Sequence, residues 1–496
     1  MTTHEQQPAT ARADAAPTGG GPTPADLRRR AALALGVIVT CQLMVAVDGN
    51  IVNIALPRIQ AGLHFSTAGL AWVFSAYSLA FGGLLLLGGR AGDILGRRRM
   101  FVWGLLLVAA ASMLGGLAPD PALLIAARAA QGVGFAFAAP AALSLIAVTF
   151  AEGPERNRAL GVFSTVAGLG ITIGLVLGGL LTTVSWRLVF FVNVPIGIAA
   201  VLLARPYLPT TQRHPSRLDF LGALTSTAGM TGLVYGLINA SSAGWTAPVT
   251  LLSLAAGVLL LGLFVFTESR VGQPLLPLRL FSDRSRSGAY ASFLFLLATM
   301  GGTYFLLSLY VQDALGMKPL EAGLAFLPMA AAQFATARSA PKLIPRFGAR
   351  KLIAAGALLM LADSVWLSLI GSGSGYPLGL LGPLVLLGAG LGVAFPPLTM
   401  TILAGLPPKD TGAASGLLQA VQQIGLSLGI AVLATIYESS LHGSSRQALT
   451  HSLATALIAA VVLAGCALLI GLATIAARKP AAPKPAAPKP AAPASS

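Results

Sequence analysis

Gly88-Gly-Arg-Ala-Gly-Asp-Ile-Leu-Gly-Arg-Arg-Arg99 and, in the second half of the chain, Pro345-Arg-Phe-Gly-Ala-Arg-Lys351 are two versions of one loop. With Gly96 set on Gly348, Arg98 falls on Arg350 and Arg99 on Lys351, while Pro345 stands opposite Asp93, so the second version has lost its acid. Each version lies between two long apolar stretches, and a loop repeated at matching places marks two duplicated halves. Positive charge alone would need only the arginines. The spacing Gly89-x-x-x-Asp93-x-x-Gly96-Arg97-Arg98 adds glycines that permit a tight turn and close helix approach, and an acid that can face a helix N-terminus such as that of the apolar stretch at 411–437.

Outward from that loop, 496 residues with 55% hydrophobic and only 10% charged side chains, at a mean hydropathy of +0.79, lie outside the composition of a soluble globular chain. Apolar stretches of about 17 to 25 residues suffice to cross a hydrocarbon core as helices. They fall near 31–56, 68–88, 99–117, 121–149, 158–182 and 187–204, then 219–239 and 247–267, then 287–311, 320–340, 351–370, 378–404, 411–437 and 452–477. The expected fold is therefore all-α and integral to the membrane, with fourteen transmembrane helices arranged 6+2+6. Residues 28–205 form a first six-helix bundle, 206–286 carry two inserted helices, and 287–478 form a second six-helix bundle. Residues 1–27, rich in Ala, Pro, Thr and Gly, and the Lys/Pro/Ala repeats of 479–496 are expected to be disordered cytoplasmic tails.

The formal net charge of +16 does not point to nucleic acid. If the N-terminus is cytoplasmic, Arg58, Arg187, Lys318 and Arg446 alone fall in the opposite connections and Arg128 lies inside a span. Every other Lys and Arg is then cytoplasmic. This is the bias expected of a cytoplasmic (inner) membrane protein with both ends in the cytoplasm. Cys41 and Cys466 both fall in apolar stretches, the histidines have no ligand spacing, and no phosphate-cradling G-x-x-x-x-G-K-[ST] loop occurs. No metal, cofactor or enzymatic constellation is expected, and direct ATP-driven pumping is disfavoured.

Several motifs carry a resemblance covering about residues 31 to 477. They are the Gly89–Arg98 loop, Val47-Asp48-Gly49-Asn50-Ile51-Val52-Asn53-Ile54-Ala55-Leu56-Pro57, Arg128-Ala-Ala-Gln131-Gly132-Val-Gly134, Ser185-Trp186-Arg187-Leu-Val-Phe-Phe-Val-Asn193-Val-Pro195-Ile-Gly197, and Gly412-Ala-Ala-Ser415-Gly416 leading into Gln422-Gln423-Ile-Gly425. In these the chain resembles the fourteen-span drug:proton antiporters of the major facilitator superfamily, the group that includes quaternary-ammonium and multidrug exporters. The resemblance implies proton-motive-force-driven efflux of lipophilic or cationic small molecules by alternating access, with protons and membrane lipids as partners; the expected working unit is a monomer. Span five carries Gly170-x-x-x-Gly174-Leu175-x-x-Gly178-Gly179, with leucine where that group commonly has proline.

Ionisable groups inside a membrane are costly, so each is a functional candidate. Asp48 and Arg128 lie at similar depth, seven or eight residues from the outer ends of spans one and four, and are expected to meet. Movement of Arg128 toward or away from Asp48 would switch the proton affinity of the carboxyl. A fixed pair that only sets helix packing is the plainer alternative. Asp363, with no basic partner in prospect, is a second proton or cation site, or faces an outer water-filled vestibule. Gly89, Asp93, Gly96, Arg97 and Arg98 are assigned to a cytoplasmic latch, and Gly170, Gly174, Gly178 and Gly179 to close helix packing. A dedicated exporter of one metabolite or self-made antibiotic would use the same machinery with a different pocket. A non-transporting scaffold or sensor using the Pro-rich tail is the reading from another class.

Overall fold

The computed structural model describes residues 24–65, 67–210, 220–271, 274–371, 373, 375–407, 410–443 and 445–476. Among these the regular structure is helical: α1 Pro24–Leu63, α2 Thr67–Leu95, α3 Arg97–Leu117, α4 Pro121–Thr149, α5 Pro154–Val184, α6 Leu188–Phe191, α7 Asn193–Tyr207, α8 Phe220–Ala243, α9 Pro248–Glu268, α10 Arg284–Asp313, α11 Pro319–Ala325, α12 Leu327–Phe347, α13 Ala349–Ser368, α14 Tyr376–Gly379, α15 Leu381–Leu403, α16 Thr411–Ser440 and α17 Arg446–Thr474, with one 3-10 turn at Leu278–Phe281.

Twelve helices among the described residues are long and apolar enough to cross a membrane, α6 and α7 together forming one of them. The two expected spans not among the twelve, 158–182 and 320–340, are helical as well, as α5 and as α11 with α12. The latter carries Arg338, Lys342 and Arg346 within its length, which lowers its apolar character. The first helix starts at Pro24 with Asp26 in its first turn, so the disordered tail expected over 1–27 is too long by four residues. Proline is tolerated at a helix start and an acid there favours the helix dipole. The rest of that tail, and the tail of 479–496, lie outside the described residues.

Three expected spans are each broken, and proline is the cause. Pro195, Pro328 and Pro383 have no N–H to donate to the carbonyl four residues earlier, at Phe191, Leu324 and Gly379, and those residues lie at the ends of the short helices α6, α11 and α14.

The halves have matching skeletons. In the first, α2 and α3 pack on α4, α1 on α5 and α3 on α7; in the second, α12 and α13 pack on α15, α10 on α16 and α13 on α17. Gly96 and Gly348 take φ of 101° and 79° before α3 and α13, a region that favours glycine. Arg98 donates to the carbonyls of Arg205 and Leu208 at the end of α7, and Arg350 to that of Leu472 at the end of α17. The inserted pair α8–α9 lies across the seam between the halves, with α8 against both α2 and α16. There Val234 and Thr231 fill the space above Gly82 and Gly83, and the Trp245 indole donates to Thr435 Oγ1 at 3.0 Å.

Candidate functional site

Five helices of the first half converge on one buried carboxylate. Asp48 of α1 and Arg128 of α4 are in contact, Nη1 to Oδ2 at 2.6 Å, with no solvent exposure of either side chain. The Arg128 Nε donates to the Val73 carbonyl of α2 at 3.0 Å, and its guanidinium lies 4.3 Å from the centre of the Tyr77 ring. One helical turn along α4, Gln131 accepts from Arg128 Nη1 at 2.9 Å. The same Gln131 donates both to Asp48 Oδ1 at 3.2 Å and to Ser112 Oγ of α3 at 2.7 Å. From the first residue of α7, Asn193 donates to Asp48 Oδ1 at 2.7 Å. Side chains as short as Ser, Asn and Asp reach one another only because the helices are close. A Cβ at Gly132 would collide with the Tyr77 carbonyl, and one at Gly104 with that of Gly134.

Desolvating two charges costs several kcal/mol each, and the pair persists because its members are hydrogen-bonded as well as paired. The network is sealed within the first half. The neighbouring Gly49 faces open space on its Cβ side, whereas Asp48 points away into the helix bundle. Along the other face of α1 run the span-five glycines: Gly170 lies on Ala46, Gly174 on the Val47 carbonyl and Gly178 on Ile51, with Gly179 partly exposed beside them. They clamp the helix segment that carries Asp48.

At the end of the bundle that carries the repeated loop, the two halves meet. Gly89 of α2 is in contact with Gly412 and Gly416 of α16, where a side chain on Gly89 would strike the Gly412 carbonyl. Asp93, buried, pairs with Arg97 at 2.9 Å and lies against Gly412 in the first turn of α16, where the Ala413 amide faces its carboxyl. Ser144 of α4 donates to Ser415 at 3.2 Å. A second ion pair, Arg279–Asp410 at 2.8 Å, joins the connector after α9 to the residue preceding α16.

Asp363 of α13 is fully buried, and neither of its oxygens has a hydrogen-bond partner. It does not face a water-filled vestibule; the helix buries it beside Met360, Ser364 and Leu367. Glycine contacts fix its register against the first half. Gly132 on the Tyr77 carbonyl matches Gly388 on that of Met329, and Gly104 with Gly134 matches Gly356 with Gly390. Ser364 is then the counterpart of Ser112, and Leu384 and Leu387 are those of Arg128 and Gln131.

The structure thus joins Asp48 to Arg128, places the Gly89–Arg98 residues together at one end, and leaves Asp363 apart from both. Gln131 and Asn193 are functional candidates that carry no charge and so are not marked by the cost of burying ionisable groups. Their signal was present in the quoted motifs, as amides inside apolar stretches.

A family model described as Major Facilitator Superfamily matches residues 38–430. The chain is 41% identical over 427 residues to a cephamycin export protein of Amycolatopsis lactamdurans, covering 85% of this chain and 88% of that one. It is 40% identical to a puromycin resistance protein of Streptomyces alboniger, covering 81% of each, and 36% identical to a tetracenomycin C resistance and export protein of Streptomyces glaucescens, covering 88% and 80%. Among solved structures, a human organic anion transporter superposes with a TM-score of 0.59 at 20% identity, covering 88% of this chain and 99% of that one. A proton:xylose symporter superposes at 0.61 with 14% identity, covering 88% and 95%. These last two likenesses concern the fold.

Proposed function

The chain belongs to the Major Facilitator Superfamily, a multi-pass membrane transporter and not an enzyme, and on that premise we propose that it exports antibiotic-like small molecules, lipophilic or cationic, in exchange for protons. The observation that carries the proton-coupled reading is the sealed Asp48–Arg128 pair: a costly buried charge pair in a membrane, held by polar side chains from four helices, and without a counterpart at the matching positions Thr299 and Leu384 of the second half. Loss of the Arg128 contact would let Asp48 take a proton, and its return would expel it. Asp363 is a further carboxyl able to take up a proton.

The reading includes fourteen spans, with α5 and α12 crossing alongside the twelve apolar ones, both termini in the cytoplasm and the cytoplasmic membrane as location. The distribution of Lys and Arg supports this orientation. The loop end is then the cytoplasmic end. Contact of Asp93 with the start of α16, together with Ser144–Ser415, latches it shut. The transmembrane potential supplies about 2.3 kcal/mol per charge per 100 mV. Export of a monovalent cation per proton would cancel that contribution, leaving the pH gradient as the drive.

A dedicated exporter of one antibiotic has its own support, since several relatives are named for single compounds: cephamycin, puromycin and tetracenomycin C. Cells expressing the protein separate the two. Reduced accumulation of puromycin, tetracenomycin C and ethidium alike, restored by a protonophore, supports broad proton-driven export. Reduced accumulation of one compound supports the dedicated exporter, and accumulation unaffected by the protonophore removes proton coupling.

A further inference from the structure

Asn193 occupies an unusual place: it is the first residue of α7, directly after the break caused by Pro195, and its side chain lies 99% inside the protein against the carboxyl of Asp48. We infer that Asn193 is the positioning residue that holds Asp48 in both of its protonation states, donating to the carboxylate now and accepting from the acid after Arg128 withdraws. The inference rests on the proton-coupled reading above.

The argument is one of donors and acceptors. An ionised carboxylate only accepts, so the amide nitrogen of Asn193 must face Asp48 Oδ1, as it does at 2.7 Å; the reverse orientation would set two acceptors against each other. When a proton from water forms an O–H bond on that carboxyl, the group becomes a donor and needs an acceptor in a place without solvent. While Arg128 is in place, the surrounding groups are engaged. Gln131 spends its carbonyl on Arg128 and its amide on Asp48 and Ser112, and the Val73 carbonyl is held by Arg128 Nε. Asp48 engages the amide nitrogen of Asn193, and the same amide carries a carbonyl oxygen. A half-turn of its amide presents that oxygen to the new O–H without moving the backbone. Withdrawal of Arg128 also frees the Gln131 carbonyl, but the Gln131 amide nitrogen is tied to Ser112 at 2.7 Å and lies 3.2 Å from Asp48 Oδ1, whereas Asn193 makes the shorter contact, 2.7 Å.

The position has a mechanical consequence as well. Asn193 begins α7, and the last carbonyls of α7, at Arg205 and Leu208, are held by Arg98 of the repeated loop. A change in how Asn193 grips Asp48 is therefore applied to one end of a helix whose other end is tied to the loop that faces the second half.

Infrared titration of the purified full-length protein in lipid vesicles tests this without knowledge of the cargo. The carboxylic C=O absorption that is present in the wild type and missing from Asp48→Asn belongs to Asp48. We expect Asn193→Leu, close in shape but unable to donate or accept, to shift that band to the frequency of a weaker hydrogen bond. Its titration midpoint should move as well, by the difference between the two bonds lost, that to the ionised carboxylate being the stronger. Asn193→Ser, whose hydroxyl both donates and accepts, should restore most of the wild-type behaviour, and Asn193→Ala gives the same reading as Asn193→Leu should the leucine variant fail to fold. A band and midpoint unchanged in Asn193→Leu or Asn193→Ala overturn the inference while leaving Asp48 as the proton carrier. If no band sensitive to Asp48→Asn titrates at all, Asp48 takes up no proton, and both the inference and the coupling reading fall.

Discussion

In the first half, α1 sets Asp48 beside Arg128 and Gln131 of α4; in the second half the matching positions are Thr299 of α10 and Leu384 and Leu387 of α15, all buried. The match of Asp48 with Thr299 follows from Gly174 lying on the Val47 carbonyl and Gly429 on that of Ala298. Thr299 satisfies its own hydroxyl on the Phe295 carbonyl at 2.9 Å and asks nothing of its neighbours. Around these residues the glycine before α3 and α13, the helix-capping arginines and the close glycine contacts recur in both halves. A shared skeleton therefore does not require the buried charges. The buried pair is an addition made in the first half at a desolvation cost, while the second half buries the lone carboxyl of Asp363 elsewhere, on α13, and this asymmetry points to work done by the first half.

The contrast is sharpest where one partner of the pair is removed. Arg128→Met should cost roughly 3–5 kcal/mol, because it leaves Asp48 buried and uncompensated, whereas Leu384→Met should cost less than about 1.5 kcal/mol. Thermal unfolding in detergent compares them, and equal losses would erase the distinction between the halves. Next in size, Gly132→Ala and Gly388→Ala should each cost about 1–3 kcal/mol, since each new methyl meets a carbonyl of the facing helix. Here the halves should behave alike; a large cost in one alone would show that the skeletons are not equivalent.

Smaller again is the latch. Asp93→Asn removes a charge from the start of α16, worth about 0.3–2 kcal/mol, so a cysteine placed by Ser415→Cys at the seam should label several-fold faster. Pro345→Asp, at the matching position, should leave that labelling rate unchanged. The smallest effect is expected for Arg98→Gln and Arg350→Gln, about 0.5–1.5 kcal/mol each in unfolding, and similar in the two halves.

Much of this was legible in the sequence. The repeated loop marks both halves, apolar length marks the helices, and depth along spans one and four puts Asp48 and Arg128 together. Depth says nothing of rotation about a helix axis, however. That is why the sealing of the pair inside the first half, away from the open space beside Gly49, and the burial of Asp363 away from water emerged only from packing. Gln131 and Asn193 escaped notice because neutral amides carry no charge to mark them as costly. Their role depends on which backbone passes nearby, and for Asn193 on the break that Pro195 makes. The start of α1 at Pro24 was hidden by a Pro- and Ala-rich composition that reads as disorder until Asp26 is weighed as a first-turn acid.

The most direct test of the asymmetry is proton movement in liposomes carrying the full-length protein, with a pH-sensitive dye inside, an inward proton gradient, and puromycin, tetracenomycin C and ethidium as candidate cargo. The account predicts cargo-dependent proton entry in the wild type that is lost in Asp48→Asn and retained in Thr299→Val. Proton entry that survives Asp48→Asn unchanged would contradict it.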